Sequence, residues 1–179
     1  VDYEAHGGLT GLRRALAMQP QDVVAKITES GLRGRGGAGF PTGIKWKTAL
    51  EQQADQKYIC CNADEGDSGT FADRMLMEGD PFALIEGMAI AGRAIGADTG
   101  YIYIRSEYPH AVATMRRAVE IWHAAGLSDF RIEIRMGGGA YICGEESSML
   151  ESLEGKRGQV RAKPPIPAIS GLFGKPTVV

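Results

Sequence analysis

Three short segments rich in aromatic and β-branched residues, KYICCNA (57–63), GYIYIR (100–105) and FRIEIR (130–135), punctuate the chain. The stretches between and after them, DPFALIEGMAIAGRAIGA (80–97), YPHAVATMRRAVEIWHAAG (108–126) and GEESSMLESLEG (144–155), carry helical apolar spacing. Strands joined through helix-length connections pair in parallel, because a tight hairpin cannot return the chain to the same end of a sheet. The alternation therefore predicts an α/β fold, Rossmann-like, with a mostly parallel sheet and helices on both faces. Ahead of the first strand, GLTGLRRALAM (8–18), PQDVVAKITES (20–30) and GIKWKTALEQQ (43–53) read as short helices. AKPPIPAISGLFGKP (162–176) reads as an irregular loop over the surface, followed by an apolar, strand-like end.

A chain of 179 residues, 44% hydrophobic, can bury one core. A net charge of −2 supplies no field for nucleic acid, and the longest apolar run is broken by Glu86 and Arg93, which excludes direct membrane insertion. Cys60, Cys61 and Cys143 make no C-x-x-C pair. That pattern fits a reducing, cytoplasmic setting and packing thiols rather than a metal site. His6, His110 and His123 read as surface or packing residues, and Trp46 and Trp122 as core.

The segment SGLRGRGGAGFPTGIKW (30–46) places six glycines beside Arg33, Arg35 and Lys45. Bare backbone and cations suit a phosphate-bearing ligand. Gly34, Gly36 and Gly39 match G-x-G-x-x-G, but the loop precedes the first strand instead of following it, and there is no Walker A lysine. The cradle is of another design. Two further clusters fall at strand exits, where open α/β sheets bind ligands. CNADEGDSGT (61–70) is unusually polar, with a solvated loop as its bland alternative, and MGGGAYICGEES (136–147) brings Tyr141 and the paired acids Glu145 and Glu146 to a helix start. Acids there are favoured by the helix dipole without any function. Nothing in the sequence requires a metal.

Taken together, these three segments and LEGKRGQVRAKPPIPAISGLFGKPT (153–177) resemble the family of NADH-oxidising flavoprotein subunits found in respiratory complex I, soluble NAD-linked formate dehydrogenases and NAD-reducing hydrogenases. The DEGDSGT stretch is more similar to the formate dehydrogenase and hydrogenase branch. The resemblance implies one FMN- and NADH-binding domain over 1–179, with short N-terminal helices, belonging to a longer polypeptide. An Asn pair touching FMN, a ubiquitin-like domain and a 4Fe-4S domain would follow in the family. It implies hydride transfer between nicotinamide and flavin, with no catalytic protein nucleophile or acid. Gly34, Gly36 and Gly37 would lie against the flavin, Lys45 at the ribityl phosphate, and Asn62, Asp64 and Glu65 along the ribityl chain and ring system, with Arg35 and Asp67 also among the cofactor-binding residues. Tyr141, Gly144, Glu145 and Glu146 would complete the pocket, Phe40 would stack on the NADH adenine, and Lys163 would sit near the NADH phosphates. Glu65 and Glu146 would act electrostatically. Thr48 and Ile166 stand where complex I members often carry phenylalanine. Implied partners are iron-sulfur proteins, including a thioredoxin-like 2Fe-2S subunit, and a formate dehydrogenase or hydrogenase catalytic subunit. A non-catalytic scaffold that keeps the fold and docks partners is the alternative, and metal-dependent phosphoryl transfer lacks its lysine.

Overall fold

The structure is a computed structural model that describes residues 2–179. Helices α1 (Asp2–Ala5), α2 (Thr10–Leu16), α3 (Pro20–Glu29) and α4 (Thr42–Glu51) precede strand β1 (Tyr58–Ala63). There follow α5 (Ala72–Gly79), α6 (Pro81–Ile95), β2 (Thr99–Ile104), α7 (Pro109–Ala125), β3 (Arg131–Met136), α8 (Glu146–Leu153) and β4 (Thr177–Val178). Each strand and helix expected from the periodicity forms. The termini follow local chemistry: Pro81 and Pro109 open α6 and α7, and Gly96 and Gly126, both with positive φ, close them.

The four strands are parallel in the order β3-β2-β1-β4. Tyr58 pairs with Thr99 on one side of β1 and with Thr177 on the other. The chain moves from β1 toward β3, then crosses back to the far side of β1. That reversal puts the C-terminal end of β1 at the topological switch point, where a crevice opens in sheets of this kind.

Alternation divides the sheet into two faces. Ile59, Ala63, Ile102, Ile104 and Ile132 join the main core beneath α6 and α7, with α2, α3 and α4 packed beyond. Cys60 and Tyr103 point to the other face and meet Met149, Leu150, Cys143 and Leu172. Cys60 and Cys61 thus face opposite ways as packing thiols, and burial pushes the Cys61 thiol up to about 12. Trp46 and Trp122 are core residues. His6 and His110 are exposed, and the His123 ring accepts from the Ile132 amide at 3.2 Å.

The proline-rich segment departs from expectation. It is wedged into the fold instead of lying over it: Ala168 enters the main core and Leu172 the second one. The eight-residue α8 is too short to cover its face of the sheet alone, so this segment completes the cover. Arg161 fastens it, pairing with Glu154 at 2.7 Å and donating to the Gly171 carbonyl at 2.9 Å.

Candidate functional site

A cavity of about 530 Å³ opens over the C-terminal end of β1. Three walls build it: the glycine loop, the β1 exit, and the 3-10 turn Tyr141–Gly144 that leads into α8.

The glycine loop is a pinched hairpin. Arg33 bridges Pro41 antiparallel, the Gly34 amide donates to the Phe40 carbonyl at 2.9 Å, and the Arg33 guanidinium donates to the Gly39 carbonyl at 2.9 Å. Its tip holds Gly37 at φ 101°, a conformation that L side chains rarely adopt. Arg35, Gly36 and Gly37 line the cavity, and a Cβ on Gly36 or Gly37 would meet no atom within 4 Å. The tip therefore offers open backbone, not packing.

The β1 exit supplies acids. Asn62 donates to the Gly144 carbonyl at 2.9 Å and accepts from the Asp64 amide at 3.2 Å, which joins two walls. Asp64 Oδ2 is buried with no hydrogen-bond partner. Burial raises the pKa of this carboxyl; Arg105 opposes the rise and Glu107 adds to it. Glu65 is buried, and its carboxylate accepts from the Asp73 and Arg74 amides at 3.0 and 3.2 Å, capping α5 from outside the helix. Glu65 thus has a structural task that its electrostatic assignment did not include.

At the third wall, Glu145 is the N-cap of α8, with Oε2 accepting from the Ser147 and Ser148 amides at 2.9 and 3.0 Å. Burial opposes its ionisation, yet these donors and Lys163 hold it below the ordinary carboxylate value. Tyr141 is 72% exposed and donates to Asp67 at 2.9 Å, its ring lying over Gly66, where a Cβ would approach within 2.7 Å. Gly144 leaves similar clearance for the Asp64 carbonyl, 3.2 Å from a would-be Cβ.

Of the sequence-assigned residues, Arg35, Gly36, Gly37, Asn62, Asp64, Glu65, Asp67, Tyr141, Gly144 and Glu145 share this cavity. Gly34 sits behind the loop tip, and Phe40 is 44% exposed outside the lining. Lys45 is also outside it and donates to the Val179 carbonyl at 2.9 Å. Glu146 is paired with Lys163 at 2.6 Å, and Lys163 reaches Glu145 at 3.1 Å, so this cation is already compensated. Gly66, Thr70, Ala72, Asp73 and Ile142 complete the lining. Asp73 was legible as an acid just beyond the polar run, whereas Ile142 carries no chemical signal. Among the described residues no cluster of metal-ligating side chains occurs, and no helix is long and apolar enough to cross a membrane.

The donor set fits a flavin nucleotide. An unpaired buried acceptor asks for a ligand N–H or O–H, and the bare loop tip with Arg35 asks for an anion. One consequence is measurable. An Asp whose folded pKa is raised opposes folding at pH values above it, so Asp64→Asn should leave the melting temperature of the ligand-free chain at pH 7 unchanged or higher. The same variant should bind FMN at least about tenfold more weakly, since a hydrogen bond to a charged group is lost. Thermal melts and FMN titrations of the two chains check both outcomes; a destabilised variant with unchanged affinity would remove Asp64 from the site.

Comparison with known proteins bears on the same surface. Residues 27–178 match the Nuo51 FMN-binding domain family. The chain is 52% identical to an NADH-quinone oxidoreductase subunit of Rhizobium meliloti (strain 1021), covering 99% of this chain and 44% of that protein. It is also 52% identical to the HndC component of the NADP-reducing hydrogenase of Solidesulfovibrio fructosivorans, covering 99% and 38%. Among solved structures, the air-oxidised NAD+-reducing NiFe-hydrogenase superposes with a TM-score of 0.84 at 46% identity, over 89% of this chain and 28% of that one. The chain thus spans less than half the length of these relatives, and equal identity to the first two does not choose between their assemblies.

Proposed function

We propose, for a chain that belongs to the Nuo51 FMN-binding domain family, that it is the flavin- and nicotinamide-binding part of an NADH-oxidising or NAD-reducing electron-transfer subunit. The observation that carries this reading is the unpaired, buried Asp64 carboxylate oxygen in a cavity that is also lined by a bare glycine loop with Arg35. FMN, when bound, would supply the chemistry that accepts a hydride and releases electrons singly. The protein's share is to bind, orient and exclude water.

Among the lining residues Arg35 is the single cation against Asp64, Glu65, Asp67, Asp73 and Glu145. A phosphate is therefore repelled from the β1 exit and drawn to Arg35, Gly36 and Gly37, with Lys45 adding charge once it leaves the Val179 carbonyl. Asn62 and Asp64 would receive the hydroxyl- and N–H-bearing part of the ligand, and Gly144, having no Cβ, leaves room beside Asp64. Tyr141, exposed at the mouth, offers an aromatic face for the nicotinamide, and Phe40, outside the cavity, a second for the adenine. Lys163 would meet the dinucleotide phosphates by exchanging its contacts with Glu145 and Glu146. Those two carboxylates would disfavour an additional phosphate on the ribose. Partners that take electrons would be iron-sulfur subunits, including a thioredoxin-like 2Fe-2S protein, in a cytoplasmic hydrogenase, formate dehydrogenase or complex I assembly.

Titration of the chain with FMN, followed by anaerobic addition of NADH, tests the reading. Saturable flavin binding and bleaching of its visible absorption by NADH are expected. Failure to bind FMN, with intact folding and partner docking, would favour the scaffold reading.

A further inference from the structure

The segment RSEYP (105–109), which the site assignment leaves without a role, joins β2 to α7 directly behind the acidic wall of the cavity. Arg105 donates to the Glu65 carbonyl. The Tyr108 hydroxyl lies within donating distance of Glu65 Oε2, at 3.2 Å, and of the Thr70 carbonyl, at 3.4 Å. The guanidinium groups of Arg105 and Arg74 lie 5.2 and 5.6 Å from the Tyr108 ring centroid, so the buried ring is fixed by two cations. Neither Arg105 nor Tyr108 lines the cavity.

The loop these residues grip, Glu65 to Thr70, has little of its own to hold it. Asp67, Ser68, Gly69 and Thr70 are exposed, Gly69 has φ 80°, and the loop's internal backbone bond runs from the Thr70 amide to the Asp67 carbonyl at 3.2 Å. An exposed, glycine-containing loop unanchored at its ends samples many shapes, and each ligand that needs one shape bears the ordering cost. Here both ends are anchored from behind, while Tyr141 holds the middle from the front through Asp67. We infer that Arg105 and Tyr108 are positioning residues, which keep the Glu65–Thr70 wall in its ligand-ready shape before any ligand arrives. The inference rests on the flavin-site reading for what the wall receives, but not for the clamp itself.

Tyr108→Phe removes the hydroxyl and keeps the ring, Arg105→Gln removes the cation, and Arg105→Lys restores a donor. In the ligand-free chain, amide hydrogen exchange at Thr70, Asp73 and Arg74, the hydrogen-bonded amides tied to this wall, should accelerate about tenfold in Tyr108→Phe and Arg105→Gln, with β1 and β2 amides unchanged. Arg105→Lys should recover part of the protection. FMN titrations should weaken about tenfold in the first two variants. Exchange at Thr70, Asp73 and Arg74 equal to wild type, or faster by the same factor throughout the sheet, would overturn the clamp. If wild type takes no FMN while the local exchange responds as expected, the clamp stands and the flavin reading fails.

Discussion

Glu86→Ala should cost this chain about 3 to 5 kcal/mol of stability, since it strips the acceptor from three donors and each buried donor left unpaired costs about 1 to 3 kcal/mol. Glu86 lies on α6, 7% exposed, in a helix whose other charged residue is Arg93. Its Oε2 accepts from the Tyr3 hydroxyl at 2.5 Å and the Leu9 amide at 2.8 Å, and its Oε1 from the Leu12 amide at 2.8 Å. Leu9 precedes α2 with φ 67° and has no side-chain cap to offer, so a carboxylate from another helix caps α2 instead. Removing it leaves two buried amides and a phenol unpaired and frees the α1–α2 segment from the body. Denaturant and thermal unfolding of Glu86→Ala and Glu86→Gln measure the loss, about 2–4 °C per kcal/mol in a chain of this size. The pH dependence supplies a second check. Burial disfavours the charged form, but the Tyr3, Leu9 and Leu12 donors and Arg13 outweigh it and hold Glu86 below its ordinary value of 4.5. A depressed carboxyl contributes stability above its unfolded value and loses it as pH falls through the folded one, so the gap between wild type and Glu86→Gln should narrow below about pH 4.5. A melting-temperature loss under about 2 °C for Glu86→Ala would show that the N-terminal helices are held by their apolar contacts alone.

That network illustrates what could not be read from the chain. Glu86 interrupts an apolar run, and sequence periodicity identifies the interruption without its partners, which lie 74 to 83 positions away. The strands were legible because β-branched and aromatic residues cluster between turn residues, and the parallel pairing because repeated helix-length connections supply the crossovers that parallel neighbours need. The β1-exit acids were legible from their position after a strand. Their tasks were not: Glu65 reads as an electrostatic group, whereas three-dimensional proximity makes it a cap for α5 and an anchor shared with Tyr108. Lys45 and Lys163 likewise read as phosphate cations, and the fold gives each a protein partner that sequence distance conceals. The proline-rich segment misleads for a related reason, since composition marks irregular backbone but not whether the sheet beneath needs cover.

Gly36→Val should bind FMN roughly 100-fold more weakly with little change in stability, and this combination separates a ligand cradle from a structural turn. Gly36 is not among the glycines with positive φ, so valine meets no backbone penalty of the kind expected at Gly37. A Cβ at 36 would contact nothing within 4 Å, so no core neighbour need move. Neither backbone conformation nor the space around a Cβ therefore requires glycine at this position in the folded chain. What valine changes is the cavity: position 36 lines it beside Arg35, and two methyl groups would occupy space that the bare loop leaves for a ligand. Overpacking a filled site costs about 1–3 kcal/mol, and about 1.4 kcal/mol is tenfold in affinity, which sets the expected loss at its upper end. Unfolding of the ligand-free variant should agree with wild type within about 0.5 kcal/mol, the usual effect of a surface change. FMN titrations monitored by flavin fluorescence would then show the deficit, and an added FMN concentration that raises the wild-type melting temperature should leave the variant's unmoved. Wild-type affinity in Gly36→Val would mean that the phosphate and flavin pass elsewhere along the switch-point crevice. The glycine loop would then be a hairpin whose openness serves no ligand.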